Sequence, residues 1–207
     1  MNREHTAETA PTALIVVSHH RSDSLTSAVA ERAAKRLAAG GYRVDVLDLH
    51  EEGFDPRGRV ADEPDYGNRD KVYSPEVHRH IARVHAADVI VAVFPIWWFG
   101  LPALLKGWID RVWNYGLTYG RSKSPMHSKR MLWLALAGLA EDDPNADLIH
   151  SMLDGTLRRG ISEFCGIPEV HTAALFDSEA QGLTGADRDR HYRELFAKAD
   201  KAIDRMI

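Results

Sequence analysis

The chain has 207 residues, 44% hydrophobic and 27% charged, with a formal net charge of −4. That fits one globular domain able to bury a sizeable core, and it excludes collagen, coiled coil and wholesale disorder. The mild negative charge supplies no basic field for nucleic acid or an anionic membrane, and the lone cysteine, Cys165, excludes an intrachain disulfide and a cysteine-based zinc finger.

Residues 1–12 are polar, carry no apolar stretch of the kind a secretory signal needs, and are expected to be disordered. A single domain is expected over residues 13–207, with a cytoplasmic, reducing address. Ala13 to Ser18, A-L-I-V-V-S, is a β-branched run that predicts a buried strand. After the polar turn H-H-R-S-D-S, Ser24 can cap a helix whose apolar residues recur as Leu25, Ala28, Val29, Ala33 and Leu37, ending at Gly40 and Gly41. Arg43 to Asp48 alternates as a second strand. The charged connection from His50 to Tyr73 is too long for a plain loop and is expected to be functional or mobile.

Ser74-Pro75-Glu76 opens a helix running to about Ala87. Its His78, His80 and His85 read as a solvated face, and no metal is expected. Asp88 to Phe94 is a third strand and Pro102 to Trp113 a helix. Val89 to Leu105 holds no charge, but Pro95, Gly100 and Pro102 break it, and it is shorter than the roughly 20 residues of a membrane span. Arg130 to Leu136 is a fourth strand, followed by a loop to Pro144 and helical sequence to about Phe164. Cys165 reads as a small buried hydrophobe. Glu169 to Leu175 is a fifth strand and Asp187 to Met206 a last helix. Strands alternating with helices predict an α/β fold, a parallel sheet covered on both faces, with ligands beyond the carboxyl ends of the strands.

Three loops there bear on chemistry. Ser18 to Thr26 lacks both G-x-G-x-x-G and G-K-[ST]. It offers small hydroxyls, His19, His20 and Arg21 before a helix, which suits a phosphate or an ordinary capped turn. Trp97, Trp98 and Phe99 stand in a row at a strand mouth; they either wall a flat cavity for a planar ligand or plug the core. The third loop is L-A-G-L, Leu136 to Leu139. No G-x-S-x-G elbow is present.

The stretch F-P-I-W-W-F-G-L-P-A-L-L-K-G-W-I-D-R-V, Phe94 to Val112, resembles a long motif of the NAD(P)H:quinone oxidoreductases, the DT-diaphorase family with its bacterial quinone reductase relatives. The A-L-I-V opening with Ser24 five residues after His19, S-P-E-V at Ser74, A-A-D ending at Asp88, and F-C-G at Phe164 to Gly166 are similar too, so the resemblance spans Ala13 to Leu175. It implies a flavodoxin-like three-layer sandwich around a five-stranded parallel sheet. It implies a flavin, FAD with FMN as the alternative, that takes electrons from NADPH or NADH and passes them by two-electron hydride transfer to a quinone or similar aromatic acceptor.

By the same resemblance, His19, Asp23, Ser24, Leu25 and Thr26 occupy the flavin phosphate loop. Pro95, Ile96, Trp97, Trp98 and Phe99 occupy the ring loop, with Gly138 along the flavin edge. Tyr119 and Trp98 fall at substrate positions, Tyr119 reaching the other subunit of a homodimer, and His150 stands at the histidine of a catalytic relay. Two departures stand out: L-A-G-L replaces T-T-G-G, and Pro144 falls where the relay tyrosine belongs. Competing readings are an azo-, nitro- or flavin reductase, a flavodoxin-like electron carrier, and a regulatory subunit of a potassium-efflux transporter.

Overall fold

The computed structural model describes residues 10–207. Five strands, β1 (Thr12–Val17), β2 (Arg43–Asp48), β3 (Val89–Pro95), β4 (Arg130–Leu136) and β5 (Glu169–Leu175), form one parallel sheet in the order β2-β1-β3-β4-β5. The helices are α1 (Leu25–Ala39), α2 (Pro75–Ala86), α3 (Ala103–Val112), α4 (Ala146–Ser151) and α5 (Gly185–Ile203). This is the expected flavodoxin-like α/β fold. The first nine residues of the stretch expected to be disordered lie outside the described residues, and Thr12 is already the first residue of β1.

The central strands are apolar on both faces because both faces are covered. Side chains alternate across the sheet. Leu14, Val16, Ile90, Phe94 and Trp133 point into one core with α2 and α3. Ile15, Val17, Val91, Leu132 and Leu134 point into the other with α1 and α5. Trp133 is fully buried and donates its indole N–H to the Ser162 hydroxyl at 2.9 Å; truncating such a side chain costs about 3–5 kcal/mol.

Ser24 caps α1, its hydroxyl accepting from the Ser27 amide at 3.1 Å. Helix α5 begins at Gly185, two residues before the expected start. After Ser151 the predicted helix does not continue as an α-helix; Met152–Glu163 is π-helical.

The long connection after β2, expected to be functional or mobile, is anchored on α3. Its short 3-10 turn, Val60–Asp62, presents Asp62 to the Arg111 guanidinium of α3 at 2.7 Å and to the Ser74 amide at 2.9 Å. Glu76 meets Arg111 at 2.7 Å as well. A Cβ on Gly107 would lie 2.3 Å from the Pro56 carbonyl oxygen, so glycine is what lets the connection lie flat on α3.

One histidine of α2 also corrects the sequence reading. His80 is buried and accepts the Trp108 indole N–H at 3.1 Å. His78 accepts from the Tyr73 amide at 3.2 Å, and His85 pairs with the Leu117 carbonyl at 3.0 Å. His78 and His85 are exposed, as a solvated face requires, and only His80 departs from that reading. Val77, His80, Ile81 and Val84 form one buried stripe because α2 packs on α3. Cys165 is buried as expected, and burial pushes its thiol pKa up.

Candidate functional site

The chain crosses from one side of the sheet to the other between β1 and β3, and the loops after β1, β3 and β4 meet at that end. The Ser18 amide donates to the Val93 carbonyl at 3.1 Å, tying the first two loop roots together.

In the first loop Nδ1 of His19 lies 3.1 Å from the Arg21 amide and 3.2 Å from the Arg21 carbonyl, so either tautomer of the ring is held there. Burial, together with the nearby charge of Arg21 and His20, lowers the His19 pKa from its usual value. The helix behind it suits an anion. Among the described residues the Leu25 and Thr26 amides donate to no protein acceptor, and the first turn of α1 carries no acid. Asp23 is held by Arg21 at 2.8 Å, so its charge is paired. Thr26 is buried and Ser24 is engaged in capping, so it is the backbone of this turn that is free.

The second loop is a tight hairpin. The Trp97 amide donates to the Gly100 carbonyl at 3.2 Å and the Gly100 amide returns to the Trp97 carbonyl at 3.0 Å. Between them Trp98 and Phe99 both take left-handed backbone, φ 51° and 55°. Asn-Gly or Gly-Gly normally fills such a turn, and a side chain there costs roughly 1–2 kcal/mol per residue. The strain has a visible product: Trp98 is 98% exposed, its ring projecting from the loop. Trp97 is turned the other way, its ring 6.2 Å from His19 and 5.8 Å from His20, which stack on each other at 4.5 Å. The plugged-core reading of the three aromatics therefore fails. His20, which the sequence placed in the phosphate-suited loop, thus packs against the ring loop as well.

The third loop lines a cavity of about 120 Å³ with Ile96, Phe99, Ala137, Gly138, Leu139 and Ile149. The Ile96 amide donates to the Leu136 carbonyl at 2.7 Å, which joins the two loops. The Gly138 and Leu139 amides have no protein acceptor among the described residues. His150 follows Ile149 but is exposed, its ring 5.4 Å from Phe176 and outside the cavity lining.

Thus His19, Ser24, Leu25 and Thr26, the Pro95–Phe99 loop and Gly138 share one end of the sheet, while Tyr119 belongs to another cluster. Tyr115, Leu117 and Tyr119 are half-buried. The Tyr73 hydroxyl donates to the Tyr115 carbonyl at 2.7 Å, and Leu117 and Tyr119 pack against the core. Burial and the neighbouring Tyr66 push the Tyr119 hydroxyl up to about 12. The exposed rings of this cluster are Tyr66 and Phe164, the latter 5.5 Å from Tyr119. Among the described residues no group of acids, histidines and cysteines is placed to hold a metal ion, and no helix is long and apolar enough to cross a membrane.

A family model described as flavodoxin-like fold matches residues 11–202. An uncharacterized NAD(P)H oxidoreductase of Escherichia coli (strain K12) is 46% identical over 125 residues, which is 60% of this chain and 63% of that one. NAD(P)H dehydrogenase (quinone) 1 of Rattus norvegicus is 30% identical over 202 residues, 84% of this chain and 74% of its own. Among solved structures, an NAD(P)H:quinone oxidoreductase from Methanothermobacter marburgensis superposes with a TM-score of 0.79 at 21% identity, covering 96% of this chain and 98% of that one. This last likeness is one of fold.

Proposed function

Because this chain belongs to the flavodoxin-like fold family, we propose that it is a flavin-dependent NAD(P)H oxidoreductase that reduces quinones or similar aromatic acceptors. The observation that carries the reading is the pairing of two features at one switch point. A helix start with free Leu25 and Thr26 amides lies beside a strained hairpin that holds Trp98 out at 98% exposure. Names borne by relatives 46% and 30% identical support it.

The residues fit a flavin. The first turn of α1 and the His19 ring would hold its phosphate. Ser24 would shape that turn through its cap, and Thr26 would act through its amide. Pro95, Ile96, Trp97, Trp98 and Phe99 would wall the ring, with the Gly138 amide at its edge. When bound, the flavin supplies the two-electron chemistry, and the protein binds, orients and shields it. Free amides at Gly138 and Leu139 would face negative charge developing at that edge, where N–H donors stabilise it without reorganising. His150, turned to Phe176, would act from outside the cavity. FAD is the flavin we favour, on the likeness to the longer dehydrogenases, and FMN is the second choice.

The pocket seen in one chain is small, about 120 Å³, against the several hundred that ligand sites usually enclose. We therefore place the acceptor between Trp98 of one subunit and the Tyr119–Phe164 face of a second copy. Oxidation of NADH and NADPH by the flavin-loaded protein, with and without a quinone, tests the activity. Turnover that depends on both flavin and quinone is expected, and flavin-loaded protein that oxidises neither donor would overturn it.

A further inference from the structure

Two histidines stand side by side in the first loop, and the flavin reading gives a task to only one of them. In an extended strand successive side chains point to opposite faces. The chain bends at His20 as it leaves β1, and the two rings come together. Their centroids are 4.5 Å apart and their planes 19° from parallel. Trp97 of the second loop leans on both, tilted by 56° to His19 and by 44° to His20.

The His19 ring is thereby held on several sides. Nδ1 lies within 3.2 Å of the Arg21 backbone, His20 covers one face, and Trp97 borders the ring. Nε2 is left without a protein partner among the described residues, so it is the ring atom open to a ligand. His20 is the outer member of the stack: it is exposed, while His19 is half-buried. A loop histidine free to rotate loses that freedom when a ligand arrives; a ring already stacked has little left to lose, which tightens binding.

We infer that His20 is a positioning residue for the flavin phosphate, acting through His19. Its ring fixes the His19 imidazole in the orientation that presents Nε2 to the phosphate, and it does not touch the phosphate itself. The inference rests on the flavin reading above and goes beyond it in giving a role to a side chain that makes no ligand contact. Stacking acts through the flat ring and not through its nitrogens, so an apolar ring at position 20 serves equally well.

The test compares the flavin that the protein retains, FAD or FMN, with riboflavin, which lacks the phosphate. Affinities are read from the change in flavin fluorescence for the wild-type protein, His20→Ala, His20→Phe, His19→Ala and the double alanine variant. His20 is exposed, so its truncation leaves the core intact. His20→Ala should weaken the phosphorylated flavin about fivefold, the size of an aromatic contact, and leave riboflavin unchanged. His20→Phe should keep wild-type affinity. His19→Ala should weaken the phosphorylated flavin by itself, and adding His20→Ala to it should cost nothing more, because the ring that His20 holds is gone.

A His20→Phe variant as weak as His20→Ala, or a further loss in the double variant, would mean that His20 meets the phosphate itself, and overturns the inference. So does His20→Ala or His19→Ala with wild-type affinity, or an equal loss for riboflavin. Each of these outcomes leaves the function standing. A wild-type protein that binds neither FAD nor FMN overturns the function itself.

Discussion

Nη2 of Arg111 lies 2.7 Å from Oδ2 of Asp62, and both side chains are sealed from solvent. The two residues are 49 positions apart in sequence, and their contact fastens the connection after β2 to α3. Removing one partner of a buried pair leaves the other charge unpaired, at a cost of about 3–5 kcal/mol. Arg111→Ala, which strands Asp62, should lower stability by that order in urea unfolding, and Asp62→Asn by less, because Arg111 keeps Glu76 at 2.7 Å. An effect under about 1 kcal/mol would show that the pair only decorates a connection held by other contacts.

The Trp98 turn predicts the reverse sign. Its ring makes almost no buried contact, yet its backbone is left-handed. Trp98→Gly removes that penalty and should raise the stability of the flavin-free protein by about 1 kcal/mol, less the added flexibility of the unfolded glycine. The same change should weaken flavin retention, since ring contacts contribute about 0.5–1.5 kcal/mol. Thermal melts and flavin titration on one preparation would show both; a variant that melts earlier without flavin contradicts the assignment of strain.

His80 gives the fold a pH dependence whose sign is fixed by its burial. Desolvation lowers its pKa below the ordinary 6.5, against the pull of Glu52 at 3.8 Å and with the push of Arg83. The neutral ring accepts the Trp108 N–H. Above 6.5 neither state binds the proton. As pH falls below 6.5 the unfolded chain protonates first, so stability declines until the folded ring titrates too. His85 is shifted the same way by burial. Unfolding midpoints should therefore fall between pH 7.5 and pH 5, and His80→Gln, which keeps an acceptor for Trp108, should flatten that fall. An unchanged slope would exclude His80 as its source.

The acceptor position makes a prediction about subunits. A flavin-loop variant such as Trp98→Ala, mixed with Tyr119→Ala, should recover activity in the mixed dimer, because one of its two sites is built entirely from unaltered residues. A confirmed mixed dimer with no recovery would mean that each site draws on one chain. A monomer in sedimentation at micromolar concentration would end the shared-site proposal outright.

The sheet was legible because β-branched runs such as Leu14 to Val17 repeat with helical periods between them. His80 was misread as solvated although Val77, His80, Ile81 and Val84 have the spacing of a buried helix face, a stripe whose polar residue finds its partner on α3. The left-handed turn at Trp98 and Phe99 was hidden, since aromatic residues carry none of the Asn or Gly signal that marks such turns. The contact of Asp62 with Arg111 was hidden for another reason: it bridges 49 positions, and no local pattern encodes that.

The most direct test of the central claim is the absorbance spectrum of the purified protein, before and after incubation with FAD and with FMN. A flavin band that survives gel filtration, with FAD or FMN released into the supernatant by heat, is the result predicted from the free α1 amides and the exposed Trp98. A colourless protein that takes up neither flavin would contradict it.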